Sequence, residues 1–226
     1  MTYLGIDFSL NSPSCCVLNQ NKFFWVSVTR SDKNLKSLSK SADKPYAVLS
    51  KFENFELDVL EKRVMPDDYS EKERVKIDYF LELVDFFWEK IKNHVESGQT
   101  KIAMEGLSFA SNGNALIDIS MATSLMRERI VKNIGSDNFH VFSPTAVKKF
   151  AFKGNAKKDE LYLSLCGHEL PETNLNEFTK TLRMYQSQWI TPAKSVNKPV
   201  DDLVDATWIC LKLFQDMKSV KSNDEI

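Results

Sequence analysis

MTYLGIDFSLNSPSCCVLNQNKFFWVSVTR, residues 1–30, decides the fold. Leu4, Ile6 and Phe8 alternate with Tyr3, Gly5 and Asp7, the period-two pattern of a strand with two different faces. Asn11-Ser12-Pro13 is turn chemistry, Cys15 to Asn19 is a second apolar run, and Asn19 to Asn21 leads through a tight hairpin into Phe23 to Arg30. Three consecutive strands joined by short turns make an antiparallel meander.

Beyond this meander the period changes. Residues 31–70 open with the polar, basic stretch SDKNLKSLSKSADKP and read as a surface insertion. From Glu71 onward, Ile77, Phe80, Leu81, Val84, Phe87, Trp88, Ile91 and Val95 recur at three and four, which predicts one long amphipathic helix. Its Phe80, Phe87 and Trp88 are core candidates. Ser97-Gly98 ends it, and Lys101 to Gly106 is a short buried strand. Asn112 to Lys132 is a second helix with a plausible Asn/Ser cap, and Asn138 to Phe142 is a fifth strand. Ser143-Pro144-Thr145 starts a third helix with Pro at its first position. Residues 168–199 are polar and irregular, a second insertion, and Asp201 to Met217 closes the chain as a helix. The order β-β-β-α-β-α-β-α predicts a single α/β domain over 1–226. Its mixed five-stranded sheet has three antiparallel strands first and is flanked by helices.

Composition narrows the function classes. Among 226 residues, 30 Lys and Arg face 31 Asp and Glu, for a formal charge of −1. Such a chain does not coat nucleic acid by bulk charge, although a local basic surface is compatible with it. The four cysteines form no CxxC pair and the three histidines are scattered, which argues against a zinc site or a disulfide framework. No secretory signal and no apolar run of membrane-spanning length is present, so the expectation is a cytoplasmic protein with no membrane partner.

The carboxylates carry the chemistry. Asp7 sits in a strand, where Asp is disfavoured. Glu105 ends an apolar strand, where a charge can also mark emergence into solvent. Asp201, Asp202 and Asp205 open the last helix, where acids also suit the dipole. The topology can bring all of these to one place, and none has a basic partner in its own segment. Converging carboxylates repel unless a cation sits among them, and an oxygen-only set suits Mg²⁺ or Mn²⁺.

At this point the chain resembles a family. GIDFSLNSPSCCV, IAMEG, SPTAVKKFAFKGNAKKDEL and DDLVDA, in that order, look like the motifs of RuvC-type Holliday junction resolvases, members of the RNase H-like superfamily. The resemblance covers most of 1–30 and 70–217. It implies catalytic and metal-holding roles for Asp7, Glu105, Asp202 and Asp205, with Asp201 as a competitor for the place of Asp202. It implies two Mg²⁺ ions per site, with Asp7 shared between them and Mn²⁺ able to substitute. It further implies a homodimer that hydrolyses two like-polarity strands of a four-way DNA junction, leaving 5′-phosphate and 3′-hydroxyl ends. The cell would be a bacterium or a phage-infected host. The chain is longer than compact bacterial resolvases and less rich in glycine.

Lys148, Lys149, Lys153, Lys157 and Lys158 fall in an acid-free run interrupted by Gly154-Asn155, so a loop between helices presents them. A charge run is commonly a solvated face. Beside an acid cluster of metal type, these lysines read as phosphate contacts on DNA, and the family places such lysines here. Lys33, Lys36, Lys40 and Lys44 are a second, weaker candidate surface. Phe109, in a loop just past Glu105, either stacks on an unpaired base or packs under its loop. Leu116, Ile119, Thr123, Met126 and Ile130 form a stripe that is either core or a dimer face. The rivals are an RNase H-like nuclease for RNA–DNA hybrids or varied branched DNA, and a junction-binding protein without activity. An actin-type ATPase, which also opens with Gly-Ile-Asp, would need a second glycine-rich phosphate loop, and the 7 scattered glycines supply none.

Overall fold

The structure, a computed structural model, describes residues 1–30, 44–61, 63–107 and 113–223. Phe109, Lys33, Lys36 and Lys40 lie outside the described residues. Six strands form one mixed sheet: β1 (Thr2–Asp7), β2 (Ser14–Asn19), β3 (Lys22–Arg30), β4 (Phe55–Leu60), β5 (Thr100–Glu105) and β6 (Phe139–Phe142), in the order β4-β3-β2-β1-β5-β6. The meander is as the sequence predicts, with β1/β2 and β2/β3 antiparallel. Gln20 and Asn21 both take positive φ, as a two-residue hairpin between right-twisted strands requires. β5 pairs parallel with β1, β6 with β5, and β4 with β3. The whole is an α/β architecture, a mixed sheet whose antiparallel meander is extended by parallel strands on both sides.

The helices are α1 (Pro45–Leu49), α2 (Tyr69–Ile91), α3 (Asn114–Ile134), α4 (Pro144–Ala151), α5 (Lys158–Gly167), α6 (Leu175–Trp189) and α7 (Val200–Asn223). They divide between the two faces of the sheet as the alternation in β1 dictates. Leu4, Ile6 and Phe8 join a core with Phe80, Phe87 and Trp88 of α2 and Met126 and Ile130 of α3. Tyr3 joins the opposite core, built on Val147 of α4, Leu161 and Leu165 of α5, Phe178 of α6, and Leu203 and Ile209 of α7. In the α3 stripe, Thr123, Met126 and Ile130 are buried core, whereas Leu116 and Ile119 are half-buried. Gly113 immediately precedes α3; Ser111 and Asn112, of the expected cap, lie outside the described residues.

Two segments differ from expectation. The sheet has a sixth strand, β4, inside the stretch read as a surface insertion. Its outward Glu56 and Asp58 pair with Lys90 of α2 at 3.4 and 2.8 Å, and those charges hide its alternation. The stretch 168–199, read as irregular, holds α6, whose Leu175, Phe178 and Leu182 are buried at three- and four-residue spacing, with Trp189 buried seven residues further on. Asn174 fixes its start: the Phe23 N–H donates to Asn174 Oδ1 (2.6 Å), and Asn174 Nδ2 donates to the Phe23 carbonyl (2.9 Å). No helix among the described residues is long and apolar enough to cross a membrane.

Candidate active site

Asp7 ends β1 and Glu105 ends β5. These strands are parallel neighbours with Ile6 opposite Met104, so both carboxylates leave the sheet at the same carboxyl end, where open α/β sheets present their ligand sites. The third acidic group arrives on α7. This helix lies on the middle of the sheet because Gly5 leaves room for its backbone at Ala206 and Cys210. Trp25 Nε1 donates to Thr207 Oγ1 (3.0 Å) and Trp208 Nε1 donates to the Leu161 carbonyl (3.1 Å), which tie α7 to β3 and α5. The first turns of α7 therefore set Asp202 and Asp205 beside Asp7.

The electrostatics record this convergence. Burial, and then the Asp202 and Asp205 carboxylates, push the Asp7 carboxyl well above the usual range, against the pull of Lys158 and Lys198. Burial and then Asp205 raise Glu105 to about 7, opposed by Lys158 and Lys148. Burial also raises Asp202 and Asp205, each opposed most strongly by one lysine, Lys198 and Lys158 respectively. Asp7, Asp202 and Asp205 thus lie in one another's fields and Glu105 in that of Asp205, and each of the four resists ionisation.

The lysines among them were not anticipated from sequence. Lys158, expected at a DNA phosphate, pairs instead with Asp205 and with Asp201 Oδ1 (3.0 Å). Lys198, which sequence analysis did not single out, pairs with Asp202 and with Asp201 Oδ2 (3.2 Å). Ser12, read only as a turn residue, donates its hydroxyl to Asp202 Oδ2. The expectation that no acid has a basic partner in its own segment is corrected for Asp201 and Asp202, whose partner Lys198 stands three and four residues before them, while Lys158 reaches Asp201 and Asp205 from the start of α5. Asp201 lies between the lysines, whereas Asp202, 2% exposed, is the member of that pair facing Asp7.

Among the described residues, no group of three or more Asp, Glu, His or Cys side chains stands ready to hold a metal ion. The donor chemistry nevertheless fits a hard cation. The Asp7 and Glu105 carboxylates make no ion pair or hydrogen bond among the described residues. They border a cavity of about 150 Å³, further lined by Met104, Leu107, Ile119 and Thr123. That is room for an ion and several waters. An oxygen-only set of this kind suits Mg²⁺ or Mn²⁺.

The rest of the lysine run lies on α4, the following loop and the start of α5. Lys148, Lys149 and Lys157 make no ion pair among the described residues, while Lys153 Nζ pairs with Glu160 at 2.5 Å. Phe152 stands in the same loop, 59% exposed, with the Lys153 ammonium 5.2 Å from its ring. Its position within the run was a signal that went unread.

No protein-family model matches the sequence, and no curated protein matches it. Among solved structures, the chain is similar to Thermus thermophilus RuvC, with 12% identity, 83% of this chain and 96% of that chain covered, and a TM-score of 0.38. It is also similar to T. thermophilus RuvC in complex with Holliday junction substrate, with 11% identity, 83% and 95% covered, and a TM-score of 0.41.

Proposed function

We propose that this chain is a metal-dependent, structure-selective DNA endonuclease that resolves four-way junctions by phosphodiester hydrolysis. The observation that carries the reading is the meeting of Asp7, Glu105, Asp202 and Asp205 from three elements, beside a run of lysines. Asp7, Glu105, Asp202 and Asp205 would hold the ions, which when bound supply positive charge opposite the scissile phosphate and acidify attacking water. Asp7, half-buried at the carboxyl end of the interior strand β1, orients the site. Ser12 fixes the Asp202 carboxylate, and Gly5 sets the distance of α7. Lys148, Lys149, Lys153 and Lys157 hold backbone phosphates on either side of the cut. Catalysis on this reading is positioning and charge stabilisation, with no covalent intermediate on the protein. The sequence resemblance directs the choice of substrate to four-way junctions and of assembly to a homodimer that makes paired cuts.

The test is cleavage of a four-way junction, a linear duplex and an RNA–DNA hybrid with Mg²⁺, by the wild type and Asp7→Asn. Junction cleavage lost in the variant supports the proposal. Undiminished cleavage by Asp7→Asn removes the carboxylate mechanism. Binding of junctions without turnover in Mg²⁺ or Mn²⁺ favours a junction-binding protein. A monomer nicking a single strand overturns the paired-cut reading and leaves the nuclease.

A further inference from the structure

We infer that Lys198 and Lys158 are resident counter-ions of the acid cluster, displaced to solvent or phosphate when a divalent cation enters. The inference rests on the proposed metal centre and assigns Lys198 a role that the motifs do not. Each lysine spans two carboxylates: Lys158 reaches Asp201 and Asp205, and Lys198 reaches Asp201 and Asp202. Together they bring two positive charges to the acids, the charge that one divalent ion would bring.

The geometry makes the lysines the movable partners. Asp202 is held by the start of α7 and by Ser12, and its side chain is 2% exposed; the Lys198 side chain is 45% exposed and that of Lys158 43%. A four-carbon stem whose side chain is nearly half exposed can carry its ammonium from the acids to water or phosphate, whereas the Asp202 carboxylate, buried and bonded to Ser12, has nowhere to go. It also accounts for acids that converge without forming a ready-made metal cage: the oxygens of Asp201, Asp202 and Asp205 are turned toward ammonium groups. Lys158 is one residue from Lys157 and close in sequence to Lys153, so once released it extends the lysine run toward a polyanion. Polyanion and metal then favour each other's binding, because each removes the competitor of the other, and this coupling is reciprocal.

Lys198 is a positioning residue on this account, and its test needs no cleavage. Calorimetric titration of the metal-free chain with Mn²⁺ compares wild type, Lys198→Gln and Lys198→Arg, with melting curves confirming that each is folded. Lys198→Gln is expected to bind Mn²⁺ roughly tenfold more tightly than wild type, and Lys198→Arg to stay within about twofold of it. A catalytically blocked four-way junction should sharpen Mn²⁺ binding by wild type more than by Lys198→Gln. Equal or weaker Mn²⁺ affinity in folded Lys198→Gln, with wild type binding the ion, overturns the exchange and spares the metal centre. If Lys198→Gln does not fold, Lys158→Gln carries the same comparison. Binding by neither wild type nor variants overturns the metal centre and the exchange together.

Discussion

Gly5 of β1 lies directly under Cys210 of α7: a Cβ on Gly5 would stand 2.2 Å from the Cys210 nitrogen and 2.4 Å from the Ala206 carbonyl oxygen. Backbone atoms cannot yield as a flexible side chain would. Gly5→Ala must therefore lift α7 from the sheet or bend β1. We expect a loss of about 3 kcal/mol or more in urea unfolding, the upper range for overpacking. Because Asp202 and Asp205 ride on α7, any residual folded protein should also lose cleavage. A variant as stable as wild type would show that the helix is not seated through Gly5.

Asp7 is expected to be costly to the fold that needs it. Burial and two neighbouring carboxylates disfavour its charge, so the folded state prefers it neutral. Asp7→Asn removes that charge with little change of shape. In metal-free buffer near neutral pH, the variant should be more stable than wild type by about 1 kcal/mol while cleavage disappears. Melting in chelator gives the first number and a junction assay the second. A less stable Asp7→Asn would mean that Asp7 is a structural anchor rather than a functional acid.

The lysines divide into two kinds, and salt separates them. Lys149 and Lys157 are exposed and make no ion pair among the described residues, so they are free to meet phosphates. The double variant Lys149→Ala/Lys157→Ala should weaken junction binding and lower the slope of log affinity against log salt by about two, near one unit per phosphate contact. The slope, measured by anisotropy at several salt concentrations, is the readout. An unchanged slope would place the DNA elsewhere.

Much of this architecture could be read from residues 1–30. The alternation of Leu4, Ile6 and Phe8 against Tyr3, Gly5 and Asp7 assigns both faces of β1 correctly, because burial on either side of a pleat is a local, period-two demand. The acids were legible for a related reason: Asp in a strand, and acids at the ends of apolar elements, stand out against their surroundings. β4 was hidden because Glu56 and Asp58 give an edge strand the look of a loop. Lys198 was hidden more deeply. It stands three and four residues before Asp201 and Asp202, a spacing that carried a signal, but it looks like one surface lysine among many and precedes the helix rather than lying on it. The role of Gly5 was half legible: its face was readable, but the helix against it was not.

His168 offers a check on burial that is independent of the acid site. It follows α5, and its ring packs edge-on against Trp208 at 5.2 Å, where burial lowers its proton affinity below the ordinary 6.5. Above that value the ring is neutral in folded and unfolded chains alike, so its contribution to stability is complete. As the pH falls through 6.5, the unfolded chain takes up the proton first, and stability is lost until the folded ring also protonates. The raised carboxylates work in the opposite sense over the same range, since their neutral forms are preferred in the folded state. The whole-protein profile is therefore a sum, and only a difference isolates the histidine. Urea unfolding of wild type and His168→Gln at about pH 7.5 and about pH 5 should show wild type losing stability relative to the variant on acidification. A constant difference between the two proteins would mean that the His168 ring is solvated and that α5 does not close over Trp208.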